Sequence, residues 1–263
     1  MKRRNLLLYS LLFIAGCTSV TNTSSVSQAK KLRFTVTDAL GIEELQRDYG
    51  ALQAALKEII QTEIELVPVE SYTAAASALQ SDQLDFVLTG PSEYVVMRAR
   101  TNAVPVIGIT RPNYRTVICV SSNSKIKSLS QLKDKKIAMW KIGSTSGYLG
   151  PTKLLIDAGL NPQSDVKILM LGSKGLPALQ KGEVDAWGGS YVKYEQFIQE
   201  QGLSENSLPV ISKGPLLPKD LFVASSQLNP ELVKQINSLL IANQEKIIQS
   251  LSSVEEGKYK GST

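Results

Sequence analysis

The chain has 263 residues, 43% of them apolar and 20% charged, with mean hydropathy near zero. That is long enough for one or two compact units, and the balance excludes both a disordered chain and a polytopic membrane protein. Histidine is absent, which removes the commonest general base and the commonest metal ligand together. The formal charge is +5, of which Lys2, Arg3 and Arg4 hold three. From Cys17 onward the surplus is too small to mark a nucleic-acid surface.

Lys2-Arg3-Arg4 precedes the apolar run Leu6 to Ile14, the charged region and short apolar core of an export signal, too short to span a bilayer as a helix. The run ends at Ile14-Ala15-Gly16-Cys17. This resembles the bacterial lipobox, which implies cleavage before Cys17 and its acylation. Residues 18 to 29 are polar and almost uncharged, a flexible leash. The expected layout is a signal peptide over 1–16 and a lipidated, tethering segment over 17–30. The only other cysteine, Cys119, lies in the apolar run Val117-Ile118-Cys119-Val120 and reads as a small buried hydrophobe.

From residue 31 short β-rich runs alternate with helical spacing, the pattern of an α/β fold. Strands are predicted over 32–36, 63–69 and 84–88, with helices over 45–60, 72–79 and from Tyr94 to Arg98 between and after them. A second series follows: strands over 116–120, 136–140, 166–171 and 184–187, with a helix start at Ser128 and helices over 153–158, 175–180 and 191–200. Gly159 suits the end of the helix before it. The chain then returns with a strand over 221–224 and a helix over 230–251. The repeated alternation fits two lobes joined by crossing strands better than one large sheet.

In open α/β sheets ligands bind beyond the carboxyl ends of the strands, where helix N-termini present unpaired N–H groups. The richest such loop is Gly143-Ser144-Thr145-Ser146-Gly147. Three hydroxyls and a helix start can cradle an oxyanion without a full positive charge. Pro151 strains this picture, since a helix beginning at the turn would meet it in its second turn, so the helix starts at Gly150 or kinks there. Thr89-Gly90-Pro91-Ser92-Glu93-Tyr94 is a second turn of hydroxyls leading into a helix, and Ser71-Tyr72 follows the second strand at the equivalent place. Asp185-Ala186-Trp187 closes a strand of the second series. No phosphate-loop lysine motif is present, which argues against a nucleotide triphosphatase.

Together these loops resemble the substrate-binding proteins of phosphonate and phosphite ABC importers, the PhnD-type family. The likeness runs through 71–79, Leu84 to Tyr94, Ile126 to Ala138, Ser144-Thr145-Ser146-Gly147-Tyr148-Leu149-Gly150-Pro151 and Leu179 to Ala186, and takes in most of residues 31–250. It implies an α/β, two-lobe periplasmic-binding-protein fold of type II, the Venus-flytrap form, with a mixed sheet in each lobe. Lobe 1 is expected over 31–115 plus 213–263 and lobe 2 over 116–212, with hinges near Arg115-Thr116-Val117 and Ile211 to Gly214. Carried over by position, Ser144, Thr145 and Ser146 hold ligand oxygens from lobe 2 and face Tyr72, Thr89, Gly90 and Tyr94 of lobe 1. Asp185 matches a site acid, accepting a shared proton from a P–OH group. Trp187 walls a compact pocket.

The implied function is an extracytoplasmic, lipid-anchored monomer that closes on phosphite, methylphosphonate or phosphate and delivers it to ABC permease subunits. No cofactor or metal is expected. Thr89 stands where some relatives carry an aromatic, which opens the question of the ligand's substituent. The alternatives are a binding protein for another anion such as a sulfonate or nitrate, and a sensory lipoprotein of the same fold. A phosphoester-cleaving enzyme ranks well below them, because neither an activated nucleophile nor a clustered set of metal ligands is seen.

Overall fold

The computed structural model describes residues 31–252, Val254 and 257–263. The expected export signal, lipidated Cys17 and tether therefore lie outside the described residues. Two five-stranded mixed sheets carry the fold. The first has the order β2-β1-β3-β10-β4, built from β1 (Lys31–Val36), β2 (Glu63–Leu66), β3 (Phe86–Thr89), β4 (Val104–Ile109) and β10 (Asp220–Ala224). The second has the order β7-β6-β8-β5-β9, from β5 (Arg115–Val120), β6 (Lys136–Met139), β7 (Lys167–Met170), β8 (Ala186–Ser190) and β9 (Val210–Leu216). In each sheet three strands are parallel, and a fourth runs antiparallel to its neighbours on both sides.

Each antiparallel strand is reached across a lobe boundary, β5 through residues 110–114 and β10 through 217–219. The two crossings lie side by side, Leu217 N donating to Tyr114 O at 2.8 Å. The hinge positions expected near Arg115 to Val117 and Ile211 to Gly214 fall inside β5 and β9, and a boundary at 212/213 cuts through β9. Helices α1 (Ile42–Ile60), α2 (Ala74–Gln80), α3 (Pro91–Thr101), α7 (Pro230–Ala242) and α8 (Gln244–Ser250) clothe the first sheet. Helices α4 (Gly150–Asp157), α5 (Gly175–Gln180) and α6 (Tyr191–Glu200) clothe the second.

The core follows from burial on both sheet faces. Leu32, Phe34 and Val36 of β1 are wholly buried, and Phe34, Phe86 and Phe222 pack across β1, β3 and β10 with ring centroids 5.3 to 6.3 Å apart, Phe222 stacked on both. Each such ring contributes about 1.5–3 kcal/mol by leaving water. Helix α1 buries Leu45, Leu52, Leu56 and Ile59 against this layer at helical spacing. The helix expected over 230–251 is two, because Asn243 leaves helical geometry (φ −118°, ψ 27°) between α7 and α8.

Candidate functional site

The carboxyl ends of β1, β3, β6, β7 and β8 converge on a cavity of about 360 Å³ between the lobes. On the lobe 2 side, β6 ends at Met139, and Trp140 to Gly143 lead into a π-helical turn over Thr145–Leu149 that runs directly into α4. Pro151 explains the π-turn. With i→i+5 bonding, Leu149 N reaches Ser144 O at 2.9 Å, and Gly150 N reaches Thr145 O. Pro151 has no N–H to continue the series, and the Ser146 carbonyl so released accepts from Thr116 Oγ1 at 2.9 Å. Ser144 Oγ caps the turn, accepting from Gly147 N at 3.3 Å. Ser144 and Ser146 are nearly buried, and both line the cavity with Thr145.

Trp187 is 2% exposed, and its indole folds back over Gly189 on the same face of β8. A Cβ on Gly189 would lie 2.1 Å from Trp187 Cζ2, and one on Gly175 2.7 Å from Cδ1. Two glycines thus make the slot that lets a tryptophan wall the cavity. Across the cleft Trp140 Nε1 donates to Tyr72 Oη at 2.8 Å, with Lys193 Nζ 3.5 Å from the centre of the Trp140 ring. Burial raises the Tyr72 phenol above its ordinary value, so it stays a neutral donor.

On the lobe 1 side the wall is a charged network. Asp38, just past β1, accepts from Tyr49 Oη at 2.9 Å and pairs with Lys258. Burial works to raise the Asp38 carboxyl, but the charge and hydrogen bond of Lys258 together with the Tyr49 hydroxyl outweigh it and hold the group below the ordinary range. Asp220 accepts from Tyr259 Oη at 2.9 Å, lies 3.3 Å from Lys258 Nζ, and takes Arg111 Nη1 at 3.4 Å. Glu93, in the first turn of α3, is 4% exposed, and burial lifts its carboxyl to about 7.

The structure brings together Tyr72, Gly90, Ser144, Thr145, Ser146 and Trp187 as predicted from the sequence. It does not bring Asp185, Thr89 or Tyr94 to the cavity. Asp185 precedes β8 at the far end of the sheet, where its Oδ2 accepts from Lys136 N at 2.8 Å. Asp85 does the same in lobe 1, accepting from Arg33 N at 2.8 Å. Both acids tie down the start of a neighbouring strand, so Asp185 is a sheet-closing residue. Thr89 is buried behind Gly90, its Oγ1 3.2 Å from Thr37 Oγ1, and Tyr94 packs on the apolar cluster of α2 and α3. The strand-end rule extended to β1 reaches Asp38, and Glu93 stands within the quoted turn. No local signal points to Arg111, Asp220 or Lys258, which converge from three distant segments.

A family model described as "ABC transporter, phosphonate, periplasmic substrate-binding protein" matches residues 34–258. The chain belongs to this family. Its members are substrate-binding proteins of phosphonate ABC importers and work outside the cytoplasmic membrane. Among curated relatives, the phosphate-import protein PhnD of Mycolicibacterium smegmatis is 23% identical over 236 residues, 83% of this chain and 72% of that one. Among solved structures, XAC2383 from Xanthomonas citri bound to ATP superposes with a TM-score of 0.74 at 16% identity, covering 88% of this chain and 90% of that one. PhnD1 from Prochlorococcus marinus in complex with methylphosphonate gives 0.70 at 19% identity, covering 88% and 95%. The two-lobe, type II fold is shared with these solved structures. Among the described residues no helix is long and apolar enough to cross a membrane.

Proposed function

We propose that this phosphonate-family protein captures a small phosphorus oxyanion, namely phosphite, methylphosphonate or phosphate, in the interlobe cavity and hands it to its permease while tethered through a lipid on Cys17. The observation that carries the reading is the Ser144–Ser146 turn. It sets hydroxyls and the first N–H groups of a continuous helical segment against a cavity whose opposite wall holds Tyr72. A helix start supplies partial positive charge and directed donors, which suit an oxyanion whose own charge is met by neutral groups. The Mycolicibacterium relative is named for phosphate import and the Prochlorococcus structure holds methylphosphonate, so the compact members of the class lead the list. Closure follows because a ligand touched from both lobes binds the closed form more tightly than the open one.

The test is thermal unfolding of a chain starting at Ala29 with phosphite, methylphosphonate, phosphate, aminoethylphosphonate, sulfate and nitrate each in excess. A ligand at a hundred times its Kd adds about 2.7 kcal/mol, read as an upward shift of Tm. A shift with a phosphorus oxyanion but not sulfate or nitrate, lost in Ser144→Ala, supports the reading. A shift with sulfate or nitrate alone overturns it. For the anchor, mass analysis of the chain expressed with its leader checks Cys17 acylation, and Cys17→Ser should release it from membranes.

A further inference from the structure

The lobes meet at a cluster of three hydroxyl and carboxyl groups whose contacts can be counted in protons. Ser92 Oγ, at the start of α3 in lobe 1, lies 2.6 Å from Glu93 Oε2, 2.6 Å from Thr145 Oγ1 and 2.9 Å from Gly143 O, the last two being groups of lobe 2. Each contact is within hydrogen-bonding distance and each needs one proton. Gly143 O is an acceptor only, and the Ser92 and Thr145 hydroxyls bring one proton each. Two protons cannot serve three contacts, and the only other group able to bring one is the Glu93 carboxyl. With that proton present the set closes. Glu93 donates to Ser92, Thr145 donates to Ser92, and Ser92 donates to Gly143 O, which fills both lone pairs and the single O–H of the serine. Without it, one of the three contacts becomes a proton-less approach of two oxygens across the lobe boundary. The position is built in from both sides. Gly143 takes φ +94°, which turns its carbonyl to Ser92, and a Cβ on Gly90 would lie 2.8 Å from Glu93 Oε2.

We propose that the lobes close with a proton held on Glu93, making Glu93 a positioning residue that couples ligand capture to pH. The inference rests on the reading of the cavity as an interlobe ligand site. Burial is the main influence on the carboxyl and, with Asp220 of β10 adding to it, raises it to about 7 against the opposing pull of the Ser92 hydroxyl, the Glu93 backbone N–H and Lys258. Tyr72 and the crossing residue Tyr114 also face it and are themselves held neutral by burial. Thr37 Oγ1 of the loop after β1 is 3.4 Å from Oε1, and from lobe 2 Thr145 Oγ1 lies 3.5 Å from Oε2. Opening exposes the carboxyl to water, where its value is the ordinary one, so the closed form binds the extra proton. Closure is therefore favoured most on the acid side, weakens as pH rises toward 7, and levels off above it. In the satisfied arrangement the Thr145 hydroxyl joins the lobes and does not reach the ligand.

The experiment compares wild type with Glu93→Gln, whose amide is a fixed donor to Ser92, by calorimetric titration with methylphosphonate at pH 6 and pH 8. Methylphosphonate titrates on its own, and the ratio of the two proteins' Kd values cancels that contribution. A carboxyl at about 7 in the closed form predicts that wild type gains about tenfold in affinity over the variant between pH 8 and pH 6. A ratio unchanged between the two pH values overturns the proposal. If methylphosphonate binds neither protein, the ligand reading fails, and Glu93 is still decided on the protein alone. By small-angle scattering the radius of gyration of wild type should fall between pH 8 and pH 6, as the added proton favours closure, while that of Glu93→Gln stays constant; a wild-type radius that does not change with pH, or one that changes equally in both proteins, overturns the proposal.

Discussion

Replacing Asp220 by alanine should cost lobe 1 much of its stability, because its carboxylate pairs with the buried guanidinium of Arg111. Asp220 is wholly buried, and the Arg111 side chain is 5% exposed. Arg111 lies on the first crossing, flat against the Tyr114 ring at 3.7 Å. Lys258 keeps Asp38 when Asp220 is removed, so the loss falls on Arg111 and on the Tyr259 hydroxyl. Removing one partner of a buried pair costs about 3–5 kcal/mol. Since each kcal/mol moves Tm by about 2–4 °C in a chain of this size, the drop should be about 6–20 °C by circular dichroism at pH 7. The double change Arg111→Met with Asp220→Leu should recover most of it, since a packed apolar pair replaces a buried ionic one at little cost. A loss below about 1 kcal/mol, typical of an exposed pair, would refute the reasoning and mean that water or another acid reaches Arg111.

Three further outcomes test the site. Gly189→Ala puts a Cβ 2.1 Å from the Trp187 ring. The indole must leave its slot, destabilising the protein by about 1–3 kcal/mol and shifting tryptophan emission; unchanged emission would count against the slot. Gly143→Ala forces a side chain into φ +94° and sets it 3.0 Å from Tyr72 Cβ across the cleft. It should cost about 1–3 kcal/mol and weaken ligand binding in calorimetry, because the clash exists only with the lobes together. Asp185→Ala removes the acceptor of Lys136 N and should cost about 0.5–1.5 kcal/mol, with ligand affinity within about twofold of wild type as expected for a distant site. A tenfold loss of affinity would return Asp185 to ligand contact.

What could be read from the sequence divides along physical lines. Central strands such as β1 and β3 are buried on both faces and declare themselves as apolar runs. Two of the four strands at the sheet margins, β4 and β9, do not. Strand β4 carries Pro105 and Gly108, and β9 carries Gly214 and Pro215, residues that interrupt a strand pattern and are tolerated because an edge has one ladder to satisfy. The hinges expected near 115–117 and 211–214 stand beside the crossings at 110–114 and 217–219, a few residues inside β5 and β9. The hydroxyl turn over 144–146 was legible because a strand, a turn and a helix start are contiguous. Asp185 was misread because a strand-start acid and a strand-end acid differ by only the few residues of β8, and the side chain's partner, Lys136 N, is 49 positions away.

The same distinction between local and converging residues explains how a cavity rich in carboxylates can accept an anion. The acids stand on the lobe 1 wall, and most are engaged within that lobe: Asp38 by Tyr49 and Lys258, Asp48 by Arg47, and Asp220 by Arg111, Tyr259 and Lys258. Glu44 accepts from Leu40 N at 3.1 Å. Glu93 remains, and a proton on it removes its charge when the lobes meet. The opposite wall offers Ser144, Ser146 and the first N–H groups of their helix, with Lys141, Lys174 and Lys193 around them. An anion entering the cleft therefore meets directed donors on one side and carboxylates already compensated on the other. Recognition then depends on where the donors point more than on net charge, and geometry of that kind can separate tetrahedral phosphorus oxyanions from planar ones.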